Sequence, residues 1–160
     1  MSDTTTFEIR DAVEADAAAA CEVMRRSIAE LCFADHHGDL KILGAWLANK
    51  KPKIFRAWLA RGNQSYLLAI EGSRVLGVGA VTDAGEITLN YVSPNARFRG
   101  VSHAMLTALE HRARERGNGE CRLTSTMTAR RFYVARGYIE TGGTDRNFGI
   151  DGFAMRKALV

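Results

Sequence analysis

Arg97, Arg99 and Gly100 lie close together between two patterned stretches of the chain. Before them, Leu89 to Val92 is an apolar, β-prone run that Pro94 stops. After them, Val101, Met105, Leu106 and Leu109 recur at helical spacing. A strand that passes through a glycine-bearing basic loop into a helix leaves several backbone N–H groups without partners. The helix dipole adds partial positive charge there, so the junction suits a phosphate. Gly100 lets a ligand come close to the main chain. The two arginines supply charge at any physiological pH.

Other chemistry-bearing groups are spread more thinly. Cys32, Phe33, Asp35, His36, His37, Gly38 and Asp39 crowd one short non-periodic segment. Adjacent histidines point different ways on any regular element, so paired metal ligation is not expected, and the segment reads as a solvated loop. Alternation along 86–92 puts Glu86, Thr88 and Asn90 on one strand face, where a buried carboxylate would have a raised pKa and could act as a base. Gly77 and Gly79 sit within a strand that no helix follows. The dinucleotide fingerprint therefore fails, and close backbone packing accounts for them.

Composition bounds the function. The chain has 160 residues and a net charge of +4, enough for one domain spanning 1–160 with a real core. From Asn95 to Arg136 there are nine arginines against three glutamates. That excess suits a polyanionic small ligand and would also suit nucleic acid. The Lys50-Lys51-Pro52 run is short and lacks interleaved aromatics, so it reads as a solvated corner, and nucleic acid is not the expected partner. Three cysteines without C-x-x-C spacing argue against a disulfide framework or a zinc site, so no metal is expected. Met1 to Thr6 lacks the features of a signal peptide, and no apolar stretch is long enough to span a membrane. The expected location is the cytoplasm.

The elements that position these residues follow from pattern. Strands are expected over 6–10, 65–71, 74–81, 86–92, 121–125, 138–141 and 152–158, and helices over 14–31, 40–49, 53–61, 101–116 and 129–136. The second, third and fourth strands are joined by short turns and form an antiparallel meander. The fifth follows a helix and should run parallel to the fourth. Thr128 is the expected cap of the last helix, and 142–151 is expected to be loop.

Arg97-Phe98-Arg99-Gly100-Val101-Ser102 resembles the acyl-CoA pyrophosphate loop of the GCN5-related N-acetyltransferases, Gln/Arg-x-x-Gly-x-Gly/Ala, with Ser102 at the last position. Ala129-Arg130-Arg131-Phe132-Tyr133-Val134-Ala135-Arg136-Gly137-Tyr138 resembles the same family's late motif, Ala-x-x-Phe-Tyr-x-x-x-Gly-Phe/Tyr. Many members carry Asn three residues before that Ala; here Thr126 stands in its place. The resemblance runs from about Phe7 to Leu159 and implies an α/β fold. Its mixed, mostly antiparallel sheet splays between strands four and five, and helices cover both faces.

The resemblance also implies a set of roles. The acyl donor would be acetyl-CoA, a co-substrate, and the acceptor an unidentified amine. The loop residues Arg97, Phe98, Arg99, Gly100, Val101, Ser102 and His103 would hold the pyrophosphate. The pantetheine arm would pair with the backbone of Asn90, Tyr91 and Val92, near Thr126 and Phe132. Tyr133 would protonate the leaving thiolate. Glu86 or a water chain would take the amine proton, and a backbone N–H at a strand-four bulge would meet the oxyanion. Cys32, Asp35 and His36 would contact the acceptor. Two other readings stay open from the sequence, a CoA-binding sensor without turnover and a basic nucleic-acid- or ribosome-binding domain. The exposed edge of the last strands could pair with a second copy.

Overall fold

The computed structural model describes residues 6–160. The leader-free reading of the first residues falls largely outside that range. One seven-stranded sheet runs in the order β1-β2-β3-β4-β5-β7-β6. Its strands are β1 Glu8–Asp11, β2 Gln64–Glu71, β3 Arg74–Thr82, β4 Glu86–Val92, β5 Glu120–Ser125, β6 Ile139–Asn147 and β7 Ile150–Ala158. Every neighbouring pair is antiparallel except β4 and β5, as the intervening helix requires.

The helices are α1 Ala17–Leu31, α2 Phe33–His36, α3 Leu40–Leu47, α4 Pro52–Arg61, α5 Val101–Glu115 and α6 Arg130–Ala135. Two of them have boundaries set by recognisable chemistry. The Asp39 side chain accepts from the Lys41 and Ile42 amides and starts α3. Pro52 opens α4 and Gly62, at φ +69°, closes it. On one face of the sheet, Ala20, Met24 and Phe55 from α1 and α4 pack on Leu68, Val78 and Leu89. On the other, Met105, Leu106 and Leu109 of α5 and Tyr133 of α6 pack on Leu67, Val81 and Ile87. Gly79 is where β3 passes under α5: a Cβ there would come within 2.6 Å of the Met105 sulfur. The strand glycines are thus a close-packing device, as their spacing suggested.

Four expectations are corrected. Residues 142–151 are not a loop. They complete a β6–β7 hairpin that turns at Phe148 and Gly149, both at positive φ. All nine residues of β6 are exposed, so its sequence carries none of the apolar alternation that marks a strand. The 32–39 segment is not simply solvated, because α2 buries Asp35 and His36. Lys50 is no solvated corner either, being only 3% exposed. Its ammonium donates to the Asn49 side-chain oxygen at 2.8 Å and lies 5.4 Å from the Phe148 ring centre. Burial lowers its pKa to about 8. Finally, Thr128 does not cap α6. No side chain caps it: Thr126 accepts from the amide of the N-cap residue Ala129 at 3.2 Å, and Thr128 is held by Asp35.

Candidate active site

The parting of two parallel strands makes the site. β4 and β5 pair only at Glu86 with Arg122 and Ile87 with Leu123. Beyond that point the strands separate and a cavity of about 490 Å³ opens between them. A bulge prepares the separation. Ala80 faces Leu89 and Val81 faces Ile87, so Thr88 is an extra residue in β4. The bulge changes the phase of the strand. Ile87 packs on the α5 side, Leu89 and Tyr91 on the α1 side, and Asn90 points back towards Tyr133. Glu86 and Asn90 therefore lie on opposite faces, contrary to simple alternation. Glu86 is exposed at the start of the strand and does not line the cavity. The buried-carboxylate environment expected for a base is not present there.

One end of the cavity is the basic junction. Ser93 to Ala96 forms a short 3-10 turn, Phe98 takes φ +63°, and Gly100 at φ +79° is the N-cap of α5. Nothing lies within 4 Å of where a Gly100 Cβ would project, so the approach to the amides of Val101, Ser102 and His103 is open. Arg97, Phe98, Gly100, Val101, Ser102 and His103 all line the cavity. The Arg97 guanidinium sits 4.7 Å from the Phe98 ring centre. Arg99 does not join them. Its guanidinium forms a two-pronged ion pair with Glu71, which with Thr6 holds that carboxyl down at about 2. The Gly-bearing loop turns at Phe98, and successive arginines end on different sides.

Tyr133, the central group, projects from α6 into the widest part of the gap and is only 6% exposed. Its hydroxyl accepts from Asn90 Nδ2 at 3.3 Å. The ring packs edge-on against Phe132 and Tyr138, at 5.2 and 5.6 Å between centres. Burial raises the phenol to about 12. The other amide atom of Asn90, Oδ1, is buried without a protein partner. A buried acceptor left unpaired is costly, so this atom is matched to a donor from a ligand or from water.

The far end lies against α1. Ser27, Leu31 and Cys32 line it together with Tyr91. Burial, reinforced by nearby Asp35, pushes the Cys32 thiol up to about 12. The Tyr91 hydroxyl accepts from Trp46 Nε1 at 3.3 Å. Asp35 and His36 do not reach the cavity. Asp35 accepts from the amides of Met127 at 2.7 Å and Thr128 at 3.2 Å, and so fixes the loop before α6. His36 accepts from the Gly38 amide at Nδ1, and its Nε2–H donates to the Ile28 carbonyl at 3.0 Å. Both side chains are tied into the fold, and neither lines the cavity.

Sequence reasoning missed Arg136. It lines the cavity, lies 4.1 Å from the Phe132 ring centre, and buries an unpartnered Nε. The signal was available, since Phe132 and Arg136 are four apart on one helix. Among the described residues lining the cavity there are arginines and a histidine but no carboxylate.

The family model for the acetyltransferase (GNAT) domain matches residues 33–159. The chain belongs to the GNAT acetyltransferase family. A GCN5-related N-acetyltransferase from Rhodopseudomonas palustris is 25% identical, with 99% of each chain covered and a TM-score of 0.87. PaiA N-acetyltransferase from Thermoplasma acidophilum, solved with coenzyme A, is 19% identical over 97% of this chain and 100% of that one, at TM-score 0.83. YncA, a putative acetyltransferase from Salmonella typhimurium solved with acetyl-CoA, is 20% identical over 98% and 95%, at TM-score 0.71. No curated protein sequence matches the chain. The mixed sheet with helices on both faces is the fold of this GNAT family, and the two late motifs occupy the walls of its central cleft. Among the described residues no cluster of three or more His, Cys, Asp or Glu is placed to hold a metal ion, and no helix is long and apolar enough to cross a membrane.

Proposed function

We propose that this GNAT protein moves an acetyl group from acetyl-CoA to an amine by direct attack, with both substrates bound together. The observation that carries this reading is the continuity of the cavity, which runs from the anion-binding junction past Tyr133 to Cys32. The residues present fit the donor. Arg97, Arg136 and the first amides of α5 suit the diphosphate. The unpaired edges of β4 and β5 and the orphaned Asn90 Oδ1 suit an amide-bearing arm. Acetyl-CoA supplies the activated acyl group; the protein supplies orientation and proton management.

Proton management follows from burial. A thiolate leaving into water is much less basic than a phenol at about 12, and proton transfer to it would be uphill. The cleft changes that comparison. Burial, with Asp35 nearby, raises the Cys32 thiol in the same cavity, and burial of a leaving thiolate would raise its basicity in the same direction. That narrows the gap to Tyr133, whose protonated hydroxyl stands in the cleft as the acid. The open edge beside the β4 bulge offers main-chain N–H groups to the developing oxyanion. No carboxylate lines the cavity, so the amine proton leaves through water and Glu86 is not needed. The test is thiol release from acetyl-CoA across an amine panel, with donor affinity measured by calorimetry. Amine-dependent release with tight donor binding supports the reading. Tight donor binding with no release across the panel leaves a sensor, and salt-dependent nucleic-acid binding without donor affinity would replace it with the basic-domain alternative.

A further inference from the structure

The acceptor end of the cleft has a definite chemistry. Its walls are Ser27, Leu31, Cys32, Leu89 and Tyr91, which offer apolar surface, hydroxyls and a thiol but no negative charge. The nearest acids in the chain are already engaged. Glu30 is paired with Arg26, and Asp35 is bound to the Met127 and Thr128 amides. Glu86 is exposed and outside the cavity. The formal charges facing the cavity are the guanidinium groups of Arg97 and Arg136.

Tyr91 gives this end its one directed polar group. Its oxygen already receives the Trp46 indole N–H, which fixes the phenol in place. Its own proton has no acceptor among the described residues. Burial holds that proton on, as the raised pKa of the group indicates. The hydroxyl is therefore a donor held in place on a residue that lines the cleft.

From this constellation, and resting on the transferase reading, we propose that the acceptor is a primary amine carrying no second positive charge, with a compact apolar body and an oxygen that accepts from the Tyr91 hydroxyl. The attacking amine enters neutral, so it needs no counterion. A second ammonium on the same molecule would lose its water without gaining a carboxylate. Linear polyamines and polycationic aminoglycosides are thereby rejected, whereas amino-acid amides and short amino alcohols fit.

Three measurements on the full chain test this. The first compares kcat/KM for leucinamide and for spermidine, each expressed per neutral primary amine, by thiol release. Leucinamide should exceed spermidine by about ten-fold or more, the scale of one unpaired polar burial. The second uses Leu31→Glu, which places a carboxylate at this end. It should narrow that ratio by about ten-fold while the acetyl-CoA dissociation constant stays within about two-fold. The third is Tyr91→Phe, which should raise the KM for leucinamide by about ten-fold and change that for isoamylamine, which lacks the oxygen, by less than about two-fold. Spermidine turned over as well as leucinamide by the parent protein overturns the inference and leaves the transferase reading standing. Acetyl-CoA bound tightly with no amine acetylated overturns both.

Discussion

Removing a single oxygen atom, by Tyr133→Phe, separates the chemistry of the cleft from its architecture. The hydroxyl has one protein partner, Asn90 Nδ2 at 3.3 Å, and the ring is held by Phe132 and Tyr138. The ring packing survives the substitution. The cost in stability is the loss of one hydrogen bond and an unsatisfied amide, about 1–2 kcal/mol. The cost in rate is larger. Without the phenol the sulfur must leave as a thiolate in a largely water-excluded cleft, where the charged form is disfavoured. General acid catalysis is worth about 10²–10⁴-fold, so kcat should fall by at least about 100-fold. Single-turnover kinetics would measure this, with calorimetry showing acetyl-CoA affinity within about three-fold of the parent. The parent's pH profile gives an independent check. An acid must be protonated to act, and burial moves this one upward from 10 to about 12. The rate should therefore rise as the free amine forms and show no falling limb between pH 8 and 10. Parent-like turnover in the variant, or a falling limb near 10, would refute the assignment.

Three further outcomes are expected. Gly100→Asp should weaken acetyl-CoA binding by about 100-fold or more in calorimetry, because a carboxylate would enter the anion site. The space around Gly100 is open but its φ of +79° strains any side chain, so the melting temperature should fall as well, by several degrees. Lys50→Met should stabilise the fold at pH 7 by about 1–3 kcal/mol in urea titration. The lysine's folded pKa is lowered from 10.5 to about 8, so its cost is greatest below 8 and fades as pH rises to 10.5; the gain should fade across that window. Gly79→Val should lower stability by about 1–3 kcal/mol, since its first added carbon meets Met105 at 2.6 and 2.8 Å and Leu109 at 3.0 Å.

What could be read from the residues alone was whatever depends on local pattern. The meander, the α5 junction and the Phe-Tyr helix each have a periodicity or a fixed spacing, and the structure places them as expected. The failures share one cause: each depends on a distant partner. Arg99 looks like a phosphate ligand until Glu71, on the preceding hairpin, is seen to hold it. Asp35 looks like a substrate contact until its partners prove to be amides more than ninety residues away. Glu86 was misplaced by a single extra residue, Thr88, because one inserted residue reverses the faces of everything beyond it. β6 is expected only over 138–141, and its continuation to Asn147 reads as loop, because an edge strand exposed at every position leaves no hydrophobic trace.

The position of β7 in the sheet has a consequence for how the protein is made. β5, the wall of the cleft that faces β4, is secured to β4 at only two positions, but to β7 along its whole length. β7 is synthesised after both of its neighbours and must slot between them. Until its residues have left the ribosome, β5 is nearly unsupported and the catalytic gap has only one firm side. A stop codon introduced near Gly149 should then do more than shorten a hairpin. It should leave the basic loop before α5 intact in sequence yet without an opposing wall, and the proposed coenzyme A binding should be lost.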